Sequence, residues 1–284
     1  DLGTANVVVY IKDKGIVANE PSVVAVQRDR LGDINILAVG DEAKLMIGKT
    51  PGSIEAIRPL KEGVIADFEV TQKMLEYFIS KYHRNNFLVR PRVVVSVPIG
   101  ITPVEKRAVV EAAESAGARE VYLIEETMAA ALGAEMDSVL SSRGGMIIDI
   151  GGGTTEIAVM SLGGVVYSNS LRVAGDAMDH ALISYMRKEY NLMIGDSSAE
   201  KIKKEIGTAI ATNNNTYAVK GRDLRSGTPK EVNISEEDTA EALNPILKDI
   251  VSSIKKALEN TPPELSADLV DMGLTLTGGG SLLN

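Results

Sequence analysis

The chain has 284 residues, 44% of them hydrophobic and 24% charged, with a formal net charge of −9 and no Cys. That length suffices for about two domains with substantial cores. The acidic balance argues against broad binding to a nucleic-acid backbone, and the lack of Cys excludes disulfides, thiol nucleophiles and thiolate metal sites.

No apolar run approaches the roughly 20 residues of a membrane-spanning helix, and no signal peptide is visible. A chain free of Cys fits a cytosolic compartment. With no Trp and only 3 Phe, the core must come from Val, Ile, Leu, Ala and Met.

Val7 to Ile11 is an apolar, β-branched run and predicts a strand. Strands are predicted again at Ser22–Gln27 and Ile34–Val39, with a short helix near Glu42–Ile47. Val70, Met74, Leu75, Phe78, Ile79 and Tyr82 share one face of a helix over about 71–83. Val93–Val97 reads as a buried strand. Thr102 caps the next helix, Pro103 takes its first position and Glu105 closes a capping box; Gly117 ends it. Val121–Ile124 is a further strand and Thr127–Met136 a further helix.

The second half restarts with a strand at Met146–Ile150 that enters a glycine turn, and one at Glu156–Met160 that leaves it. Helices follow at about 176–190 and 197–210. Residues 211–234 are polar, with Asn213-Asn214-Asn215 and Ser226-Gly227-Thr228-Pro229, and predict a mobile hairpin. Ser235 caps a long helix that Pro245 is expected to kink. Its predicted buried stripe is Ile246, Leu247, Ile250, Val251, Ile254 and Leu258. Leu274–Leu276 is a last strand before Gly278-Gly279-Gly280. Both ends fall inside motifs, so a near-complete core lacking terminal pieces is expected.

One motif occurs twice. Asp-Leu-Gly-Thr-Ala-Asn-Val-Val-Val at 1–9 matches Asp-Ile-Gly-Gly-Gly-Thr-Thr-Glu-Ile-Ala-Val at 149–159, about half the chain later. The simplest architecture is two similar lobes facing a shared cleft. A glycine turn between strands lets backbone N–H groups point at an anion, where side chains would block the approach. A lone copy reads equally as a tight β-hairpin; two copies, each headed by Asp, point to phosphate.

Asp1 and Asp149 either cap their own turns or face a magnesium ion held mostly through waters. Gly278, Gly279 and Gly280 let backbone approach a flat base or ribose. Glu200 and Lys203, three apart on one helix face, either bracket a ribose and adenine or form an exposed ion pair worth little. Glu125 and Glu126 end a strand and begin a helix. A carboxylate there either orients or deprotonates a water or complements the helix dipole.

Further stretches accompany these: Asn19-Glu20-Pro21-Ser22-Val23, Ile47–Pro51, Arg58-Pro59-Leu60, Gly63–Asp67, Val97–Thr102, Leu123–Glu126, Ala174-Gly175-Asp176 and Glu259–Leu265. The set resembles the actin and sugar-kinase ATPase superfamily, and within it the MreB family of bacterial actins over the whole chain. The resemblance implies an α/β, actin-like fold of two similar lobes, each a mixed sheet flanked by helices, with four subdomains around a nucleotide cleft. Subdomain IA would take residues 1–24 and 64–143, IB 25–63, IIA 144–184 and 246–284, and IIB 185–245.

It also implies ATP-dependent assembly into homopolymeric filaments, with paired protofilaments, on the inner face of the cell membrane. Other proteins of the shape machinery would be partners. Gly3, Thr4, Ala5, Asn6, Gly151, Gly152, Gly153 and Thr154 would hold phosphates. Glu200, Lys203, Gly278, Gly279 and Gly280 would hold the nucleoside of ATP or ADP, and Thr155 and Gly175 complete the nucleotide contacts. Asp1 and Asp149 would attend Mg2+. Glu126, helped by Thr154, would position the attacking water. The family has Pro after that Glu; this chain has Thr127, which puts the hydrolysis rate in doubt.

Asn85-Asn86-Phe87-Leu88 predicts a loop ringed by Lys81, His83, Arg84, Arg90 and Arg92. Phe87 and Leu88 either cover a strand end or insert into an anionic membrane, each nearby basic group adding about 1 kcal/mol; the resemblance favours insertion. His83 and His180 lie too far from other ligand candidates to suggest a metal site. The rival readings are a small-molecule kinase of the same superfold, for which no acid beyond Glu125 and Glu126 is found, a chaperone-like ATPase module, and a filament protein that binds nucleotide with little hydrolysis.

Overall fold

The computed structural model describes residues 1–28, 34–83, 90–136 and 141–284. They divide into two units, Asp1–Ser141 and Ser142–Asn284.

In the first unit, β1 (Asn6–Ile11) pairs antiparallel with β2 (Gly15–Pro21). Next, β3 (Val24–Arg28) is the centre of a three-stranded antiparallel sheet between β4 (Ile34–Val39) and β5 (Ile54–Ile57). Its side chains alternate: Val24 and Val26 enter the main core, while Val23 and Ala25 pack on Ala43 of the short helix α1 (Asp41–Lys44). A small hairpin, β6 (Leu60–Lys61) with β7 (Val64–Ile65), leads to α2 (Phe68–Tyr82). Asp67 caps α2, accepting from the N–H of Val70 at 3.0 Å, and Val70, Met74 and Phe78 are buried on one stripe.

A parallel pair follows, β8 (Arg92–Val97) with β9 (Glu120–Glu125), joined by α3 (Pro103–Ser115). The predicted capping box is present: the Thr102 hydroxyl accepts from the N–H of Glu105 at 3.2 Å, and the Glu105 carboxylate accepts from the N–H of Thr102 at 2.6 Å. The strand at 93–97 is half-buried rather than buried. Val95 and Val97 enter the core, but Val94 is 62% exposed, because successive side chains leave opposite faces and only one face is covered among the described residues. After β9 comes α4 (Glu126–Gly133), with no side-chain cap.

In the second unit, β10 (Gly145–Ile150), β11 (Thr155–Ser161) and β12 (Gly164–Leu171) form an antiparallel meander, and β16 (Leu274–Thr277) adds parallel to β10, giving a mixed four-stranded sheet. Met146, Ile147, Ile148 and the run Ile157–Met160 are fully buried. Such continuous apolar runs mark strands covered on both faces. The chain proceeds through α5 (Gly175–Tyr190), β13 (Leu192–Met193) and α6 (Asp196–Ile206).

The polar stretch 211–234 does contain a hairpin, β14 (Thr216–Asp223) with β15 (Pro229–Ser235), and with β13 it makes a three-stranded sheet. Val219 and Ile234 bury its inner face. Next, α7 (Glu236–Glu259) starts on a Ser235–Asp238 capping box and runs unbroken through Pro245. Its buried stripe is Thr239, Ala242, Leu243, Ile250, Ser253 and Ala257, whereas Val251 and Leu258 are 48% and 38% exposed. Small residues make the contact: Ser253 approaches β12 and accepts from Asn169 at 2.8 Å. The unit ends with α8 (Pro263–Met272), β16 and a 3-10 turn at Gly279–Leu282.

Thr127, the second residue of α4, is wholly buried and its hydroxyl has no hydrogen-bond partner among the described residues. Burying an unpaired hydroxyl costs stability, so Thr127→Val, which keeps the shape, should raise the unfolding free energy by about 1 kcal/mol in urea titration. A loss of stability would show that the hydroxyl is bonded after all.

Candidate functional site

The repeated motif is a repeated structure. In the first unit Leu2 bridges Val7, and Asp1 and Val8 exchange backbone hydrogen bonds of 2.8 and 3.2 Å. In the second, Ile150 pairs with Thr155 and Asp149 with Glu156. Each hairpin therefore closes a four-residue loop in the same register, Gly3–Asn6 and Gly151–Thr154. By register the copies align without a gap, and Asp1 corresponds to Asp149 and Val8 to Glu156.

Both loops fold back on their own backbone. A Cβ on Gly3 would lie 2.6 Å from the carbonyl oxygen of Asn6, and one on Gly151 would lie 3.2 Å from that of Thr154. The N–H of Gly151 donates to that Thr154 oxygen at 2.9 Å. Close approach requires glycine at position 3 and leaves little room for a side chain at 151.

In the first unit the loop is clamped from outside. The Ser22 hydroxyl donates to the carbonyl of Gly3 at 2.5 Å, and its N–H to that of Ala5 at 2.9 Å. Thr4 is buried and its hydroxyl oxygen accepts from the N–H of Gly63 at 2.9 Å, which ties the loop to the β6–β7 turn. Asn6 is exposed and donates to Asn19 at 2.8 Å. Asp1 is exposed, and its carboxylate accepts from the Ser96 hydroxyl at 3.1 Å. The Glu126 carboxylate lies close enough to the backbone nitrogen of Asp1 to act on it. Asp1, the loop and Glu126 are thus brought together within this unit.

In the second unit the clamp is the start of α5. The N–H groups of Gly175 and Asp176 donate to the carbonyls of Gly151 and Gly152 at 3.1 and 2.7 Å. This satisfies first-turn donors of a helix that has no side-chain cap. Gly153 and Thr154 are buried, and Thr155 donates its hydroxyl to the carbonyl of Val173 at 2.7 Å. Gly278, at φ 80, backs onto the end of β10, where a Cβ would strike the carbonyl of Ile150 and the carboxylate of Asp149. Gly280 sits against Ile150, whereas Gly279 faces open space.

Asp149 is mostly buried, and burial pushes its carboxyl above the usual range. The hydroxyl of Thr277, its partner across the β10–β16 register, lowers it part of the way without making a well-formed hydrogen bond. Glu156, 1% exposed, stands directly opposite Asp149 on β11. Glu200 and Lys203 do not pair with one another. Glu200 binds Lys204 at 2.7 Å, and Lys203 reaches Asp179 at 2.9 Å and the carbonyl of Gly175 at 2.8 Å.

Hard carboxylate oxygens are the donors a magnesium ion prefers, and such an ion typically takes one or two carboxylates, with waters and phosphates completing its shell. Among the described residues there is no cluster of three or more acidic, His or Cys ligands, so the donor set fits that mode and no all-protein cage. Phe87, Leu88 and Arg84 lie outside the described residues. Lys81 does not stand free beside them: Glu20 pairs with it at 2.7 Å. Ser22, Ser96, Asp179 and Glu156 escaped sequence reading; Ser22 had a signal in its motif stretch, and Glu156 in being the second carboxylate of the repeat.

The MreB/Mbl protein family model matches residues 1–284. The chain is 53% identical to the cell shape-determining protein MreB of Escherichia coli K12, with all of this chain aligned to 82% of that one. It is 48% identical to the cell shape-determining protein Mbl of Bacillus subtilis 168, covering 84% of it. Among solved structures, MreB5 of Spiroplasma citri, bound to AMPPNP or to ADP, superposes with a TM-score of 0.93 at 40% identity, over the whole of this chain and 84% of that one. The α/β architecture is therefore the actin-like fold, and the chain belongs to the MreB/Mbl family.

Proposed function

We propose that the chain binds ATP with Mg2+ through its glycine hairpins, hydrolyses it slowly, and assembles into membrane-associated filaments that set cell shape. The observation that carries the reading is the hairpin itself, built twice in one register with an Asp at its head. The solved MreB5 complexes with AMPPNP and ADP support it.

In this reading Gly3, Ala5 and Gly152 offer backbone to the phosphates, and a magnesium ion, when bound, neutralises phosphate charge beside Asp1 and Asp149. Glu126, at the first position of α4, orients a water for attack, and Thr154 assists it. A water-orienting carboxylate typically contributes about 10²- to 10⁴-fold. The buried, unpaired Thr127 hydroxyl directly after Glu126 favours a second reading, in which nucleotide is bound but scarcely hydrolysed. Phosphate release measured beside sedimentation separates the two, and addition of sugars tests a kinase activity.

Glu126→Ala should cut phosphate release at least about 100-fold while fluorescent ATP still binds; full turnover would refute its role. The raised carboxyl of Asp149 means that the folded protein holds this proton more tightly than the unfolded chain does. Its ionisation therefore works against folding, and the penalty fades as pH falls toward the usual carboxylate range. Ligand-free Asp149→Asn should melt higher than the parent at pH 7 and bind ATP with little response to magnesium. A lower melting point with magnesium response intact would overturn both assignments.

The proposed lipid contact is made by residues 85–88. Phe87→Ser with Leu88→Ser should abolish co-sedimentation with anionic liposomes while pelleting in ATP persists, and unchanged lipid pelleting would refute the membrane role.

A further inference from the structure

Lys203 stands on α6, yet its ammonium reaches the first turn of α5. It donates to the carbonyl of Gly175 at 2.8 Å and lies 2.9 Å from a carboxylate oxygen of Asp179. Its packing there is close: a Cβ on Gly175 would meet the ammonium at 3.4 Å and the carbonyl oxygen of Gly151 at 3.3 Å. The residue that Lys203 grips is thus the one whose own N–H holds the glycine hairpin.

Two costs are concentrated here. An ammonium in the first turn of a helix opposes the macrodipole. Asp179 is only 8% exposed, and a buried carboxylate is stable only when paired. Burial pushes its carboxyl up, Lys203 draws it down, and Asp176 and Glu200 push it up again. Packing of α5 on α6 does not need this pair, since Met178, Leu182, Ala199 and Ile202 already form an apolar seam between the helices.

We propose that Asp179 is a positioning residue of the nucleotide site, holding the Lys203 ammonium against the Gly175 carbonyl by charge and leaving a further N–H for a ligand oxygen. The inference rests on the nucleotide-binding reading above. An ammonium carries three donors; the Gly175 carbonyl takes one, and Asp179 holds the group as an ion pair at 2.9 Å without a well-formed hydrogen bond. Without the carboxylate, the four-carbon stem of Lys203 is free to swing into solvent, and the first turn of α5 loses its outer clamp. Asp179 itself contacts no ligand atom; it acts through Lys203.

The test is a double-mutant cycle read by titration with a fluorescent ATP analogue in magnesium, at a temperature where circular dichroism shows each variant folded. Asp179→Asn and Lys203→Gln should each weaken binding about tenfold, the usual scale for losing a charged hydrogen bond. The double variant should be no weaker than Lys203→Gln alone, because the carboxylate acts only through the lysine. Asp179→Glu, which restores the charge, should recover most of the loss; a merely structural role would give no such rescue of affinity in variants already folded. The doubly neutral variant leaves no buried charge unpaired, so it keeps the cycle readable if a single variant unfolds; in that case, binding by the double variant as tight as the parent's would overturn the proposal. Losses that add, or an Asp179→Asn variant that binds like the parent, would also overturn it. A parent chain that fails to bind the analogue would instead remove the nucleotide reading itself.

Discussion

The site depends on backbone meeting backbone with no Cβ between. At Gly3 and Gly151 the loop turns onto its own carbonyl, and at Gly278 a separate strand end closes on Ile150 and Asp149. Any side chain at these points forces apart what they join. The rest of the second unit follows from keeping that junction rigid. Its sheet is buried on both faces at β10 and β11, so the hairpin between them grows from the least deformable part of the core. The first turn of α5 then finds its hydrogen-bond acceptors in the loop rather than in a cap of its own.

Rigidity of this kind is combined with local instability. Asp149 is partly buried and Glu156 and Asp179 are buried, and the first two stand opposite each other across a strand pair. A fold selected for stability alone would replace them with apolar residues, as buried ionic groups commonly can be replaced without loss. Under the proposed function, their presence beside the glycine loop trades stability for charge chemistry.

Much of this was legible in the sequence, and the reasons are local. Strands at Val7–Ile11, Ile34–Val39 and Met146–Ile150 announce themselves because an unbroken β-branched run has few alternatives. The Thr102 and Ser235 starts are readable because a capping box is written within four residues. The strands β2 and β12 and the helix α8 went unread. Their sequences mix Gly, Asn, Ser and Asp with the apolar residues, and only pairing with a neighbour or packing on the sheet makes them regular. The stripe of α7 was misread for a related reason. Apolarity suggested Val251 and Leu258, but close contact selected Ser253 and Ala257, since small residues let a helix approach a sheet. Within the site, the glycines and the two leading Asp residues were visible as a repeat. The clamping contacts were not: Ser22 and Asp176 stood in motif stretches, but their bonds to the loops join residues far apart in sequence, and Asp179 acts on another side chain, which no local pattern records.

The two hairpins share a backbone but not an electrostatic setting. The Gly3 carbonyl is held by the neutral hydroxyl of Ser22, and the nearby charges that reach Asp1 include the carboxylate of Glu126. The Gly151 carbonyl is held by the N-terminus of a 16-residue helix, whose partial positive charge is reinforced by the Lys203 ammonium on Gly175. One copy of the motif therefore has a carboxylate within reach, and the other stands beside concentrated positive charge. Under the proposed function this divides the labour. The second hairpin suits the holding of phosphate charge, and the first suits the placing of a carboxylate and a water. Under that reading, loops closed in the same register take different tasks because the loop supplies the approach, while its electrostatic setting comes from the element that clamps it.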